Sequence, residues 1–168
     1  DVKKAKPGDY AVLGDPIGHS WSPRIHSAAY KACGLDLIYR AIHVPAEEFS
    51  EALPSLARLG YKGANITLPL KELAYQWADH RDDECARFGA ANTVALTTGK
   101  VTNTDGRGFL EAIGAAGISP PGPVLLLGAG GTAQALATVL ADTGYELRIH
   151  NRTRSKAADL AVRVGATL

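Results

Sequence analysis

The sequence predicts an α/β protein in two successive parts. An α/β domain with a mostly parallel sheet is expected over residues 1–116, including a connecting helix at 105–116, and the opening portion of a second α/β domain over residues 117–168. Three observations carry this expectation. Short apolar runs alternate with stretches of helical periodicity along most of the chain. A segment with three prolines, Gly117 to Pro123, interrupts that alternation and reads as a linker. Beyond it, an uninterrupted β-type run, Val124 to Leu127, leads straight into a glycine cluster and a helix, as in a strand buried on both faces.

The elements follow in order. Tyr10 to Gly14 is a short apolar strand that Gly14, Asp15 and Pro16 turn. Ser22 and Pro23 suit an N-cap and first helical position. Ile25, Ala28, Ala29 and Ala32 recur at helical spacing, and Gly34 stops the run. Leu37 to Val44 is a second strand. Pro45, Ala46 and Glu47 open a helix carrying Phe49, Leu53, Leu56 and Leu59, with Pro54 expected to break or kink it and Gly60 to end it. Lys62 to Thr67 reads as a third strand, Leu70 to Ala78 and Asp82 to Phe88 as helices. Asn92 to Thr97 and Lys100 to Thr104 flank Thr98 and Gly99 as a hairpin. Asp105 to Ala116, Thr132 to Thr143 and Ser155 to Val164 are helical, and Glu146 to His150 is a strand.

Composition narrows the class of function. The chain has 168 residues, 46% hydrophobic and 21% charged, enough apolar material for a core. Eighteen basic against seventeen acidic side chains leave +1, without a block of like charge. No electrostatic footprint for nucleic acid or anionic lipid is therefore expected. Cys33 and Cys85 form no paired metal or redox motif, no apolar run approaches a membrane span, and the five histidines lack metal-ligand spacing. A cytoplasmic enzyme acting on a small molecule, as a monomer or homodimer, is the expectation.

The strongest single motif is the glycine turn. Gly128, Gly130 and Ala133 match G-x-G-x-x-G/A after a strand and at the start of a helix, the context a Rossmann dinucleotide site requires. Gly128 permits the tight turn, and Gly130 and Gly131 let backbone approach a pyrophosphate. Ala133 permits close helix packing, and Ala129 and Thr132 complete the turn at a helix N-terminus with unpaired N–H groups. At the end of the next strand an NAD site places an acidic residue for the ribose 2′-hydroxyl. This chain has Asn151, Arg152, Thr153, Arg154, Ser155 and Lys156. Guanidinium groups suit a 2′-phosphate, so NADP(H) is the expected cofactor.

Small polar residues gather at strand exits in the first part: Ser20 and Ser22, Asn65 and Thr67, Lys71, Asn92 and Asp105. Each has an ordinary use in a cap or turn, but open α/β sheets bind ligands at such exits. The run Gly14 to Pro23 with His26 following resembles the opening motif of shikimate dehydrogenases. Asn65 to Lys71 resembles the family's Asn-Val-Thr-x-Pro-x-Lys. Gly89 to Thr93 resembles Gly-Ala-x-Asn-Thr, and Asn103 to Gly106 resembles Asn-Thr-Asp-Gly. The Gly128 to Thr132 turn and Asn151 to Thr153 complete the order.

The resemblance implies reversible, NADP-dependent interconversion of 3-dehydroshikimate and shikimate on the way to aromatic amino acids. It implies that Ser20 and Ser22 bind the substrate carboxylate, that Asn65, Thr67, Asn92 and Asp105 hold ring hydroxyls, and that Lys71 and Asp105 form the catalytic acid–base pair. Asp83 falls where the family has an acidic residue near the cofactor. Ser27 and Val101 depart from residues common in the family, away from that pair. A quinate-tolerant or NAD-using dehydrogenase and a non-catalytic shikimate- or NADP-binding sensor are the alternatives. Two strands and two helices after residue 122 fall short of one βαβαβ half. A continuation on the order of 100 residues is expected, without which the chain should not turn over.

Overall fold

The computed structural model describes residues 2–168. Among these, the eight strands are β1 (Tyr10–Gly14), β2 (Tyr39–His43), β3 (Gly63–Ile66), β4 (His80–Arg81), β5 (Thr93–Ala95), β6 (Lys100–Thr102), β7 (Pro123–Leu127) and β8 (Glu146–His150). The seven α-helices are α1 (Ser22–Ala32), α2 (Phe49–Arg58), α3 (Lys71–Trp77), α4 (Asp83–Phe88), α5 (Asp105–Ala115), α6 (Gly131–Asp142) and α7 (Arg154–Val164). Short 3₁₀ turns lie at Val2–Lys4 and Ala46–Glu48.

Two compact units result, and their division differs from the expected linker. The first comprises Asp1–Asp82 with Ala91–Thr102, the second Asp83–Ala90 with Asn103–Leu168. The reason is packing. Phe109, Leu110 and Ile113 of α5 lie against the core that includes Leu140, Ile149 and Leu160, and Phe88 of α4 joins Ala135 and Val139. The connecting helix thus packs its half-buried apolar face against the core of the second unit, and residues 117–122 join α5 to β7.

The first unit is built on a six-stranded sheet in the order β2-β1-β3-β5-β6-β4. β1 is parallel to β2 and β3; β5 is antiparallel to β3 and β6, forming the expected hairpin; β4 lies parallel to β6. β4 has only two exposed residues, too short for a sequence pattern. Ala11, Leu13, Leu53 and Leu56 are wholly buried. α2 runs through Pro54 without a break: Phe49, Ala52, Leu53 and Leu56 bury one face while Pro54 stays exposed, so packing outweighs the missing backbone donor. α1 is the reverse case. Its periodic apolar residues include none that is buried, and Ile25 is 63% exposed.

Asp9 clamps the N-terminal edge of this sheet. Its carboxylate accepts from the Ile38 N–H at 2.9 Å and from Lys62 Nζ at 2.8 Å, and its carbonyl accepts from the Lys62 N–H at 2.8 Å. The Lys62 ammonium first, then the Ile38 amide, hold the Asp9 carboxyl below its usual value.

The second unit places β7 parallel to β8, from Pro123 opposite Glu146 to Leu127 opposite His150. α6 and α7 cover one face of this pair. The other face is bare: Leu125 is 64% and Leu127 72% exposed. Within residues 117–168, α6 and α7 both fold back on the side of the pair opposite Leu125 and Leu127. Arg148 bridges to Thr167 in parallel, which places residue 167 beside β8.

Two outcomes test these packing statements. A Cβ at Gly106 would lie 2.7 Å from Val139 Cγ1 and 3.0 Å from Phe88 Cζ. Gly106→Ala should therefore cost about 1–3 kcal/mol of stability in chemical denaturation, despite alanine's better helix propensity. Unchanged or raised stability would contradict the close approach. A carboxyl held low in the folded state contributes stability above its unfolded value and loses it as pH falls. Asp9→Asn should accordingly show a shallower fall in thermal midpoint between about pH 5 and pH 3 than the unaltered chain; parallel curves would refute the clamp.

Candidate active site

Parallel strands leave a sheet at the same end, so the loops after β1 and β3 emerge side by side. They are laced together: the Thr67 N–H donates to the Leu13 carbonyl at 2.9 Å and the Asp15 N–H to the Leu68 carbonyl at 3.1 Å. Gly14 permits this approach, since a Cβ there would stand 2.7 Å from Thr67 Cγ2 and 3.1 Å from the Leu68 carbonyl. β5 runs the other way, so its entry, Asn92, lies beside the exit of β3. The Ile66 N–H donates to the Asn92 carbonyl at 2.7 Å and the Ala91 N–H to the Lys71 carbonyl at 2.9 Å. Asn65, Thr67, Lys71 and Asn92 are thereby drawn to one edge of the first unit.

Ser20 and Ser22 leave the same end of β1. The helix start expected at Ser22 is shifted by one residue: Trp21 is the N-cap, Ser22 is already helical, and its N–H donates to Ser20 Oγ at 3.3 Å. Trp21 offers no side-chain oxygen, and Ser20 supplies the acceptor from one position earlier. All six of these polar residues are half-buried, neither packed into the core nor fully in water.

The side chains of the two asparagines are themselves held. Tyr39 Oη donates to Asn65 Oδ1 at 2.7 Å, Asn65 Nδ2 donates to Thr93 Oγ1 at 3.3 Å, and Thr93 Oγ1 donates to Asn92 Oδ1 at 3.0 Å. Burial pushes the Tyr39 phenol well above its usual value. Neither Tyr39 nor Thr93 was singled out by its residue type. The period-2 register that sets Asn65 opposite Thr93 was the available signal for the second.

Asp105 belongs to the second unit and opens α5. Its backbone N–H donates to Asn103 Oδ1 at 2.9 Å, while Asn103 Nδ2 donates to the Ala90 carbonyl at 2.8 Å. Asn103 is wholly buried and fixes where Asp105 starts its helix. It stands in the Asn-Thr-Asp-Gly run, so the motif contained this residue although no role was expected of it. Asp83, also in the second unit, is exposed at the first position of α4.

The glycine turn and the basic run form another laced edge. The Gly128 N–H donates to the His150 carbonyl at 2.8 Å, so the exits of β7 and β8 adjoin. Gly128 has φ +128°, a backbone that favours glycine. A Cβ at Gly130 would meet nothing within 4 Å, so the space over the turn is open. α6 begins at Gly131 with Gly130 as an extended N-cap and no acidic residue in its first turn, a start that suits phosphate. Ala129 is buried in the turn, Thr132 is exposed, and Ala133 Cβ lies 3.8 Å from a Cβ built on Gly128. Across the edge, Asn151 Nδ2 donates to the Thr153 carbonyl at 3.0 Å and Thr153 is the N-cap of α7. Arg152, Arg154, Ser155 and Lys156 are exposed, and the first turn of α7 contains no carboxylate. This donor set fits a phosphorylated dinucleotide.

Residues 12–94 match the family model described as the shikimate dehydrogenase substrate binding domain. The NADP(+) shikimate dehydrogenase of Thermus thermophilus is 43% identical over 158 residues, covering 93% of this chain and 60% of that protein. The enzyme of Acidiphilium cryptum is 40% identical over 153 residues, covering 89% and 55%. Among solved structures, shikimate 5-dehydrogenase of Thermus thermophilus in complex with NADP(H) and shikimate superposes with a TM-score of 0.84 at 41% identity, covering 95% of this chain and 61% of that one. The Aquifex aeolicus shikimate dehydrogenase gives 0.87 at 33% identity, covering 96% and 62%. The chain thus spans 55% to 60% of the length of these curated relatives. With its laced strand exits, its ordered motifs and this likeness over nearly all of its residues, the chain belongs to the shikimate dehydrogenase family.

Proposed function

We propose that the protein catalyses the NADP-dependent, reversible reduction of 3-dehydroshikimate to shikimate, in the cytoplasm. The observation that carries the reading is the polar edge of the first unit. There a lysine, two hydroxyl side chains from the β1 exit and two amides from the β3 and β5 ends are held half-buried by backbone hydrogen bonds. The Thermus relative with shikimate and NADP(H) bound supports carrying those ligands over.

The roles follow from the residue types. Ser20 and Ser22 donate to the substrate carboxylate, and Asn65, Thr67 and Asn92 hold ring hydroxyls. When bound, NADPH supplies the hydride for the carbonyl carbon. Lys71 Nζ gives its proton to the carbonyl oxygen as that oxygen gains negative charge, and takes the hydroxyl proton back in the oxidative direction. Asp105 is the carboxylate of the acid–base pair and accepts from the substrate hydroxyl. Gly128 to Ala133 would cradle the pyrophosphate. Asn151 to Lys156, through Arg152 and Arg154 above all, would hold the 2′-phosphate, with Asp83 on the cofactor side.

Formation of NADPH by the full-length protein tests the reading. Shikimate with NADP should give reduced cofactor, and replacing either by quinate or NAD should give much less. Lys71→Ala should lower kcat by about 10²–10⁴-fold with a smaller change in KM. Shikimate binding without any NADPH formation would overturn the enzymatic reading, and near-normal turnover in Lys71→Ala would overturn the assignment of the proton donor.

A further inference from the structure

A side-chain amide presents a donor at one end and an acceptor at the other, and the two ends have nearly the same shape. Which end a ligand meets is decided by the groups behind it. We propose that Tyr39 and Thr93 are positioning residues that fix the side-chain amides of Asn65 and Asn92 in one orientation, with both amide oxygens engaged within the relay, so that this edge selects a ligand that accepts hydrogen bonds. The proposal rests on the reading of these two asparagines as substrate contacts.

The sense of the relay is set at its buried end. Tyr39 is 6% exposed and its phenol proton reaches Asn65 Oδ1 at 2.7 Å. Reversing the relay would leave that buried proton without its acceptor, which is unfavourable. With Asn65 Oδ1 committed to Tyr39, Nδ2 faces Thr93 Oγ1 at 3.3 Å. Thr93, having accepted there, has one proton, which goes to Asn92 Oδ1 at 3.0 Å. The oxygen ends of both amides are thereby engaged within the relay, and Nδ2 is the end of Asn92 turned away from Thr93.

Rigid neighbours keep the relay in place. The His26 ring stacks on Tyr39 with centroids 4.0 Å apart and planes within 1°, which fixes the direction of the phenol. Tyr39 packs with Val12 and Ile17, and strand register holds Asn65 opposite Thr93. Burial also keeps the phenol protonated far above neutral pH, so the relay does not reverse by titration.

Calorimetric titration of the full-length protein with shikimate tests this. Tyr39→Phe should weaken binding about tenfold, because both amides can then turn. Thr93→Val, which keeps the side-chain volume, should weaken it at least as much, and Thr93→Ser should restore it. The double variant should bind no more weakly than Thr93→Val alone, since both act through one relay, whereas separate structural effects would add. Unchanged binding in Tyr39→Phe, failure of Thr93→Ser to restore binding, or additive losses would each overturn the proposal. Should Tyr39→Phe not fold, the Thr93→Val and Thr93→Ser pair decides. No binding of shikimate by the unaltered protein would overturn the functional reading itself, and this proposal with it.

Discussion

The hydrogen bond from the Ile66 N–H to the Asn92 carbonyl, at 2.7 Å, closes the antiparallel junction of β3 and β5, and the first unit's polar edge depends on it. In an all-parallel sheet, the chain entering a strand lies at the far end from the chain leaving its neighbour. The reversal at β5 brings an entry and an exit together, so Asn92 stands where Asn65 and Thr67 already are. The bond from Ala91 to the Lys71 carbonyl adds the start of α3 to the same place. Four residues from three segments are gathered by backbone geometry before any side chain contributes.

The second unit reaches a similar end by a different route. Its two strands are parallel, both exits lie at one edge, and the Gly128 N–H to His150 carbonyl bond joins them. Two helix N-termini, those of α6 and α7, start from that edge, one lined by glycine and the other flanked by arginine. Neither first turn carries an acidic residue, so nothing there opposes an anion. The units thus share one device, backbone bonds between adjacent strand ends, and differ in the side chains it presents: amides and hydroxyls in the first, bare backbone and guanidinium groups in the second.

Much of this was legible because the signals are local. Periodicity and glycine stops placed every helix to within a few residues, and the strand–glycine–helix run located the turn at Gly128. What was not legible depended on tertiary packing. Pro54 is tolerated because Leu53 and Leu56 anchor α2 on either side of it. The compact units divide elsewhere than at the linker because α5 packs half-buried Phe109 and Ile113 against the second core, which no linker composition reveals. Ile25 has helical spacing yet stays exposed, since periodicity reports a face without saying what lies against it. At the site, the residues proposed to touch a ligand stand in the motifs, as do Thr93 and Asn103, but the hydrogen bonds that join Tyr39, Thr93 and Asn103 to their neighbours appear only in the fold.

The central claim is that a ligand of the first unit is met by the side-chain amides of Asn65 and Asn92 together. Nuclear magnetic resonance of the 15N-labelled side-chain amides, followed as shikimate is added to the full-length protein, tests it most directly. Both NH2 resonances should shift on one saturable curve with a common Kd. Saturation of binding with the two side-chain amides unmoved would contradict it.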